Sequence, residues 1–170
     1  MIMSSKIVET LKDTSCKVLT KKKLLFLKDS AKKNFSNKFR ICAHNPKDKI
    51  HEMFIYHEKD YFVRPHMHLN KTETLFIMKG SIDYIIFDKD GNIKKLFQLS
   101  DKGIEKNVYL RIKPNTFHSM IIKSKYVIFY EITSGPFYKK DTVFAKWYKK
   151  EYQKEYYSNL KNIVKNFKKK

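Results

Sequence analysis

The stretch Tyr61 to Gly80, YFVRPHMHLNKTETLFIMKG, sets two histidines, a glutamate and an arginine inside a strand-like apolar run. His66 and His68 are spaced i, i+2, so on an extended strand both imidazoles leave the same face, about 7 Å apart along the chain. Such a face can hold a metal ion. Glu73 follows the polar segment Leu69-Asn70-Lys71-Thr72, which can turn the chain and return the carboxylate toward the imidazoles from a neighbouring strand. A fourth ligand then has to come from elsewhere.

Working outward, the sequence on both sides is rich in short extended runs. Arg40 to His44 is strand-like with Arg40, Cys42 and His44 on one face, and Pro46 with Asp48 ends it in a turn. His51 to His57 (HEMFIYH) is a second run, with Glu52, Phe54 and Tyr56 on one side and His51, Met53, Ile55 and His57 on the other. Ser81 to Leu99 reads as a hairpin about Asp90-Gly91, a type I′ turn signal. Val108–Lys113, Phe117–Ile122 and Tyr126–Thr133 are further β-rich runs, and Gly135-Pro136 closes the series. Strands punctuated by turns, without intervening helices, predict an all-β antiparallel sandwich or barrel.

Helical periodicity is confined to the flanks. Lys21 to Asn34 carries Leu24, Leu25, Leu27 and Ala31 among good helix formers and predicts a short amphipathic helix on the barrel. From Asp141 to Lys170, Phe144, Trp147, Tyr148, Tyr152, Tyr156, Leu160, Ile163, Val164 and Phe167 recur among lysines and predict one long helix. Its apolar face is expected to dock on the barrel or on a second subunit, in preference to an interfacial membrane anchor. The expected organisation is a domain over residues 1–140 with a helical lead-in, followed by a basic, aromatic-rich helix over 141–170.

With 170 residues and 42% apolar content, the chain can form one domain with a sizeable core. No apolar run reaches membrane-spanning length and the N-terminus lacks a signal-peptide core, so a soluble cytoplasmic protein is expected. Cys16 and Cys42 match no paired motif and are expected to be reduced thiols. The net charge of +20 is almost all lysine, since of 37 basic residues only Arg40, Arg64 and Arg111 are arginine. Bidentate phosphate contact and base readout favour the guanidinium fork, so no nucleic-acid partner is expected, and each arginine becomes informative.

The pattern His66-x-His68-x4-Glu73-x6-Gly80 resembles the first cupin motif, and Pro114-x3-His118 resembles the second, although the glycine that opens the first is absent and the second lacks its glycine and is one residue shorter between Pro114 and His118. The resemblance implies a double-stranded β-helix (jelly-roll) barrel whose metal ligands are His66, His68, Glu73 and His118. A narrower resemblance is carried by Arg40-x-Cys42-x-His44, His51-Glu52-Met53, Tyr61-x-Val63-Arg64-Pro65-His66-x-His68, Phe87-Asp88-x-Asp90-Gly91, Tyr109-x-Arg111 and Glu131-x-Thr133-x-Gly135-Pro136-Phe137. Over roughly residues 20 to 145 these pieces are similar to the WbuC-type cupin-fold metalloproteins. That family is associated with bacterial O-antigen and surface-polysaccharide gene clusters. The C-terminal helix lies outside the resemblance.

Three imidazoles and one carboxylate suit one divalent transition metal, Fe, Mn, Ni, Co or Zn. The leading expectation is a metal-dependent isomerase or epimerase acting on a sugar or nucleotide sugar, with His51, Glu52 or Tyr109 shuttling the proton. Arg64, Arg111 and Glu131 are candidate substrate-binding residues. Glu131 shares parity with Val127 and Phe129 and would then face the barrel with Arg111 as its partner; the opposite parity puts it outside. Arg64 and Arg111 can bind a substrate phosphate or carboxylate, or brace acidic side chains. Cys42 beside His44 reads as a buried thiol near a hydrogen-bonded imidazole rather than a nucleophilic dyad. The alternatives are a non-catalytic sugar-binding cupin and an Fe(II) oxygenase. A carbohydrate ligand and a homodimer are the expected partners.

Overall fold

A computed structural model describes residues 7–12 and 15–167. Residues 1–6, 13–14 and 168–170, the last three within the predicted C-terminal helix, lie outside the described residues. The chain runs β1 (Val8–Thr10), α1 (Lys21–Lys33), β2 (Lys38–Cys42), β3 (Ile50–Glu58), β4 (His66–His68), β5 (Glu73–Lys79), β6 (Ser81–Phe87), β7 (Ile93–Ser100), β8 (Tyr109–Ile112), β9 (His118–Ile122), β10 (Tyr126–Ser134), β11 (Thr142–Phe144) and α2 (Gln153–Phe167). Two sheets face each other, in the orders β1-β2-β3-β10-β5-β8 and β11-β4-β9-β6-β7. The ladders between these strands are antiparallel except for β1 on β2.

Period-2 patterning builds the interior. Met53 and Ile55 of β3, Leu75 and Ile77 of β5, Ile82, Tyr84 and Ile86 of β6, Met120 and Ile122 of β9, and Val127 and Phe129 of β10 form one buried cluster between the sheets. The alternate residues of β3 turn outward, where Tyr56, with Phe39, Ile41 and Ile128, packs under Leu27 and Ala31 of α1. The parity expected for His51–His57 is therefore the observed one. The α1 boundaries follow local capping. Thr20 Oγ1 accepts from the Lys23 amide at 3.2 Å, and the Phe35 and Ser36 amides return to Lys32 and Ala31 carbonyls with Phe35 at φ 47°.

Three expectations change in detail. First, β2 starts at Lys38 and ends at Cys42, leaving His44 in the bend after it. Second, the β6–β7 loop is not a type I′ turn about Asp90-Gly91. The Gly91 amide bonds the Asp88 carbonyl at 3.3 Å and the Asp88 carboxylate accepts from the Asp90 and Asn92 amides at 2.9 Å, so Lys89 and Asp90 are the central pair. Asp90 is not at positive φ, as a type I′ turn requires, whereas Gly91 is, at 93°. Third, the C-terminal helix begins at Gln153 rather than Asp141. Thr142 to Phe144 instead pairs with β4, with register Thr142↔His68 and Phe144↔His66, and short 3₁₀ turns flank it. Trp147 and Tyr148 precede the helix, yet still share an apolar cluster with Tyr157, Leu160 and Val164 over Phe62, Ile85, Phe87 and Ile121. Hydrophobic spacing alone joined a strand, a turn and a helix, although β11 extends the second sheet while Trp147, Tyr148 and α2 cover its outer face.

Candidate metal centre

Three strands deliver the four donors. His66 and His68 leave the same face of β4, and His118 of β9 is the register partner of His66, so the three imidazoles share the inner face of one sheet. Glu73 opens β5 in the opposite sheet and reaches across. One ligand-capable atom from each of the four residues lies within 4.8 Å of the others. His68 Nε2 is 3.2 Å from Glu73 Oε2, and His118 Nε2 is 3.8 Å from Glu73 Oε1.

The ring nitrogens on the far side are all occupied. His66 Nδ1 lies 2.7 Å from the Arg64 carbonyl, His118 Nδ1 lies 2.9 Å from the Thr116 carbonyl, and His68 Nδ1 lies 3.2 Å from Thr142 Oγ1. Carbonyls accept the proton on Nδ1, which leaves the Nε2 lone pairs of His66 and His118 directed at the cluster. The Tyr84 hydroxyl donates to Glu73 Oε1 at 3.1 Å, and its ring stacks on His118 at 5.6 Å between centroids.

Burial sets the charge states. It pushes His66 down to about 3, helped by neighbouring His118, and it also lowers His118. Burial alone would raise Glu73, but the imidazoles around it and its hydrogen bond to His68 hold it down at about 2. Tyr84 is pushed well up by burial and by Glu73, and stays a donor. Neutral His66 and His118 beside an ionised Glu73 are the protonation states a divalent ion requires. His118 Nε2 is buried with no hydrogen-bond partner, which costs free energy unless something electron-poor binds there. The donor set therefore fits a divalent transition metal.

The remaining predicted residues scatter. Glu131 faces the barrel beneath Glu73, flanked in register by Met53 and Leu75, and burial with the nearby Glu73 charge raises it well above the usual carboxylate range. Arg111 lies exposed on β8, so it does not partner Glu131; the cation that acts on Glu131 is Arg40. His51 shares an inner row with Glu73, Thr133 being the register partner of both. Its ring stacks on His44 at 3.9 Å, and its Nε2 is buried without a partner. Glu52 turns outward to accept a hydrogen bond from the Tyr130 hydroxyl, and Tyr109 is exposed at the sheet edge. The Arg64 guanidinium stacks on Phe144 at 3.8 Å and lies 5.3 Å from the Tyr148 ring. Cys42 is buried and its thiol is raised by that burial.

Sequence reasoning missed Thr142, Phe144 and Tyr84. Tyr84 was visible as an inward position of an alternating strand. Thr142 and Phe144 carried only a weak signal, the β-branched pair Thr142-Val143 at the start of what reads as a helix.

The family profile described as domain of unknown function DUF6016 matches residues 19–99. No curated protein matches the chain by sequence. Among solved structures, a Shewanella oneidensis protein superposes with TM-score 0.52 at 10% identity, over 62% of this chain and 72% of that one. A Klebsiella pneumoniae protein with a double-stranded β-helix domain superposes with TM-score 0.50 at 12% identity, over 65% of this chain and 85% of that one. At such identities the likeness concerns fold alone. The chain thus has the cupin architecture, a double-stranded β-helix flanked by two helices. It carries a His66, His68, Glu73 and His118 cluster able to bind a metal. Among the described residues no helix is long and apolar enough to cross a membrane.

Proposed function

We propose that the chain is a WbuC-type metal-binding cupin of bacterial surface-polysaccharide metabolism that isomerises or epimerises a sugar or nucleotide sugar. The observation that carries the metal assignment is the occupancy of all three Nδ1 atoms, which supports Nε2 of each imidazole converging with the Glu73 carboxylate. A divalent ion held there supplies Lewis-acid polarisation of a sugar oxygen. His51 is the base, because it lies on the inner row of Glu73 and burial lowers its pKa, so its unpartnered Nε2 is free to accept a proton at neutral pH. Glu131, kept protonated inside the barrel, donates a hydrogen bond to a substrate oxygen. The barrel's apolar lining of Leu75, Met120 and Phe129 excludes water from the reacting atoms.

A second, non-catalytic reading is favoured by one observation: Glu52 and Tyr109 both lie away from the centre. In it the metal orients a bound sugar without turnover. The metal assignment is tested by elemental analysis of protein purified without chelators. We expect near-stoichiometric metal in the wild type and loss of it in His118→Ala; full occupancy in that variant removes His118 from the site. Turnover of candidate nucleotide sugars by the full chain, abolished in His66→Ala with thermal unfolding unchanged, decides for the enzyme.

A further inference from the structure

A cavity of about 270 Å³ opens at the rim of the barrel, bordered by Asn70, Lys71, Ser134, Tyr138, Lys140 and Asp141 among others. Lys71 and Asp141 are each only 6% exposed, an uncommon degree of burial for charged side chains. The Lys71 ammonium sits 4.9 Å from the centroid of the Phe137 ring, and it makes no ion pair with Asp141 or any other carboxylate among the described residues. Asp141 is near enough to favour the charge on Lys71 but not to pair with it directly, so the ammonium keeps donors that an anionic ligand can take.

The residues that line this cavity neighbour those of the metal centre along the chain. Lys71 lies two residues before Glu73. Ser134 follows Thr133, the register partner of Glu73, and Asp141 precedes Thr142, whose hydroxyl touches His68. Gly135 of the same wall lies against the His51 ring, where an added Cβ would fall 2.6 Å from Nε2. Only Gly135 separates the cavity from the His51 ring.

We propose that this cavity is a subsite for a small hydroxylated carboxylate of the sugar-acid class. It rests on the sugar-directed reading above only for the role of that ligand as substrate. Two lysines and one aspartate leave a net single positive charge, which matches a carboxylate and disfavours a phosphate of charge about −1.5 to −2. Asp141 accepts from ligand hydroxyls, while Asn70, Ser134 and Tyr138 offer further polar contacts. The volume lies below the roughly 300–1,000 Å³ of sites for drug-sized ligands, as suits one sugar unit.

Calorimetric titration with D-gluconate, D-glucose and inorganic phosphate tests the subsite, on protein as purified and after dialysis against EDTA. Gluconate is expected to saturate in both arms, with glucose and phosphate at least tenfold weaker. Lys71→Met is expected to weaken gluconate at least tenfold while leaving Co(II) binding intact. Ser134→Trp, an exposed position that fills the cavity without disturbing the buried pair, is expected to do the same and decides the matter if Lys71→Met does not fold. The proposal is overturned if gluconate does not saturate, if phosphate is preferred, or if both variants bind gluconate as the wild type does. It is equally overturned if gluconate binding is lost in EDTA yet unaffected by Ser134→Trp, which would assign the probe to the metal. Failure of Co(II) to bind the wild type refutes the metal centre instead and leaves the subsite result standing.

Discussion

Thr142→Val isolates the one Nδ1 partner that a substitution can delete, since His66 and His118 lean on backbone carbonyls. Valine keeps the shape and β-branching of threonine, so β11 and its pairing with β4 should persist. What disappears is the oxygen 3.2 Å from His68 Nδ1, and with it the restraint on ring orientation and tautomer. Losing such an outer partner typically costs 10–100-fold in metal affinity, which is about 1.4–2.7 kcal/mol. The 3.2 Å separation is long for a hydrogen bond, so we place the effect in the lower half of that range. The assay is competition for Co(II) against a chelator of known affinity, with thermal unfolding as a fold control. Thr142→Ser retains the hydroxyl and should recover most of the affinity. The reasoning is refuted if Thr142→Val binds Co(II) as tightly as the wild type, or if the serine variant is as weak as the valine one.

Other perturbations reach the scaffold. His57 is held neutral by burial at about 3, against 6.5 unfolded, so its contribution is fully present above pH 6.5 and is lost as pH falls toward 3. Wild type should lose about 1–2 kcal/mol more than His57→Phe between pH 7 and pH 5, read by urea unfolding; parallel losses would contradict a buried neutral ring. Leu27→Ala removes a fully buried side chain between α1 and the first sheet and should cost about 2–5 kcal/mol in the same assay. Gly91→Ala combines φ 93° with a Cβ only 2.8 Å from Trp147 Cδ2, so a loss of about 1–2 kcal/mol is expected with a shift in the emission of the single tryptophan; an unchanged spectrum would place Trp147 elsewhere.

Most of the barrel was legible because alternation in β3, β6 and β10 reports directly which side chains face inward, and the two-residue spacing of His66 and His68 fixes a shared face. Glu131 shows the limit of that signal. Val127, Phe129 and Glu131 alternate as cleanly as Tyr126, Ile128 and Tyr130, so parity alone offered two faces, and only the partner strands resolved them. Its expected partner failed for a related reason: Arg111 follows its own strand to the exposed edge, and sequence carries no information about which arginine lies near Glu131 in the folded sheet. The C-terminal segment misled because its aromatics serve different ends: Phe144 sits beside Arg64 and His66 at the end of β11, while Trp147 and Tyr148 pack with α2 on the outer face. Tertiary pairing with β4 overrode a helical period that the aromatics imitate.

The short strand that carries His66 and His68 has a single register pair with β9 and three with β11. Its main support is thus made roughly 70 residues after it. At translation rates of about 5–20 residues per second, Thr142 is synthesised about 4–15 s after His68. The histidine pair leaves the ribosome with neither its brace nor its hydroxyl partner, and His118 arrives in between. Capture of an ion in the final geometry would therefore wait until Thr142 has been made and β11 has paired with β4.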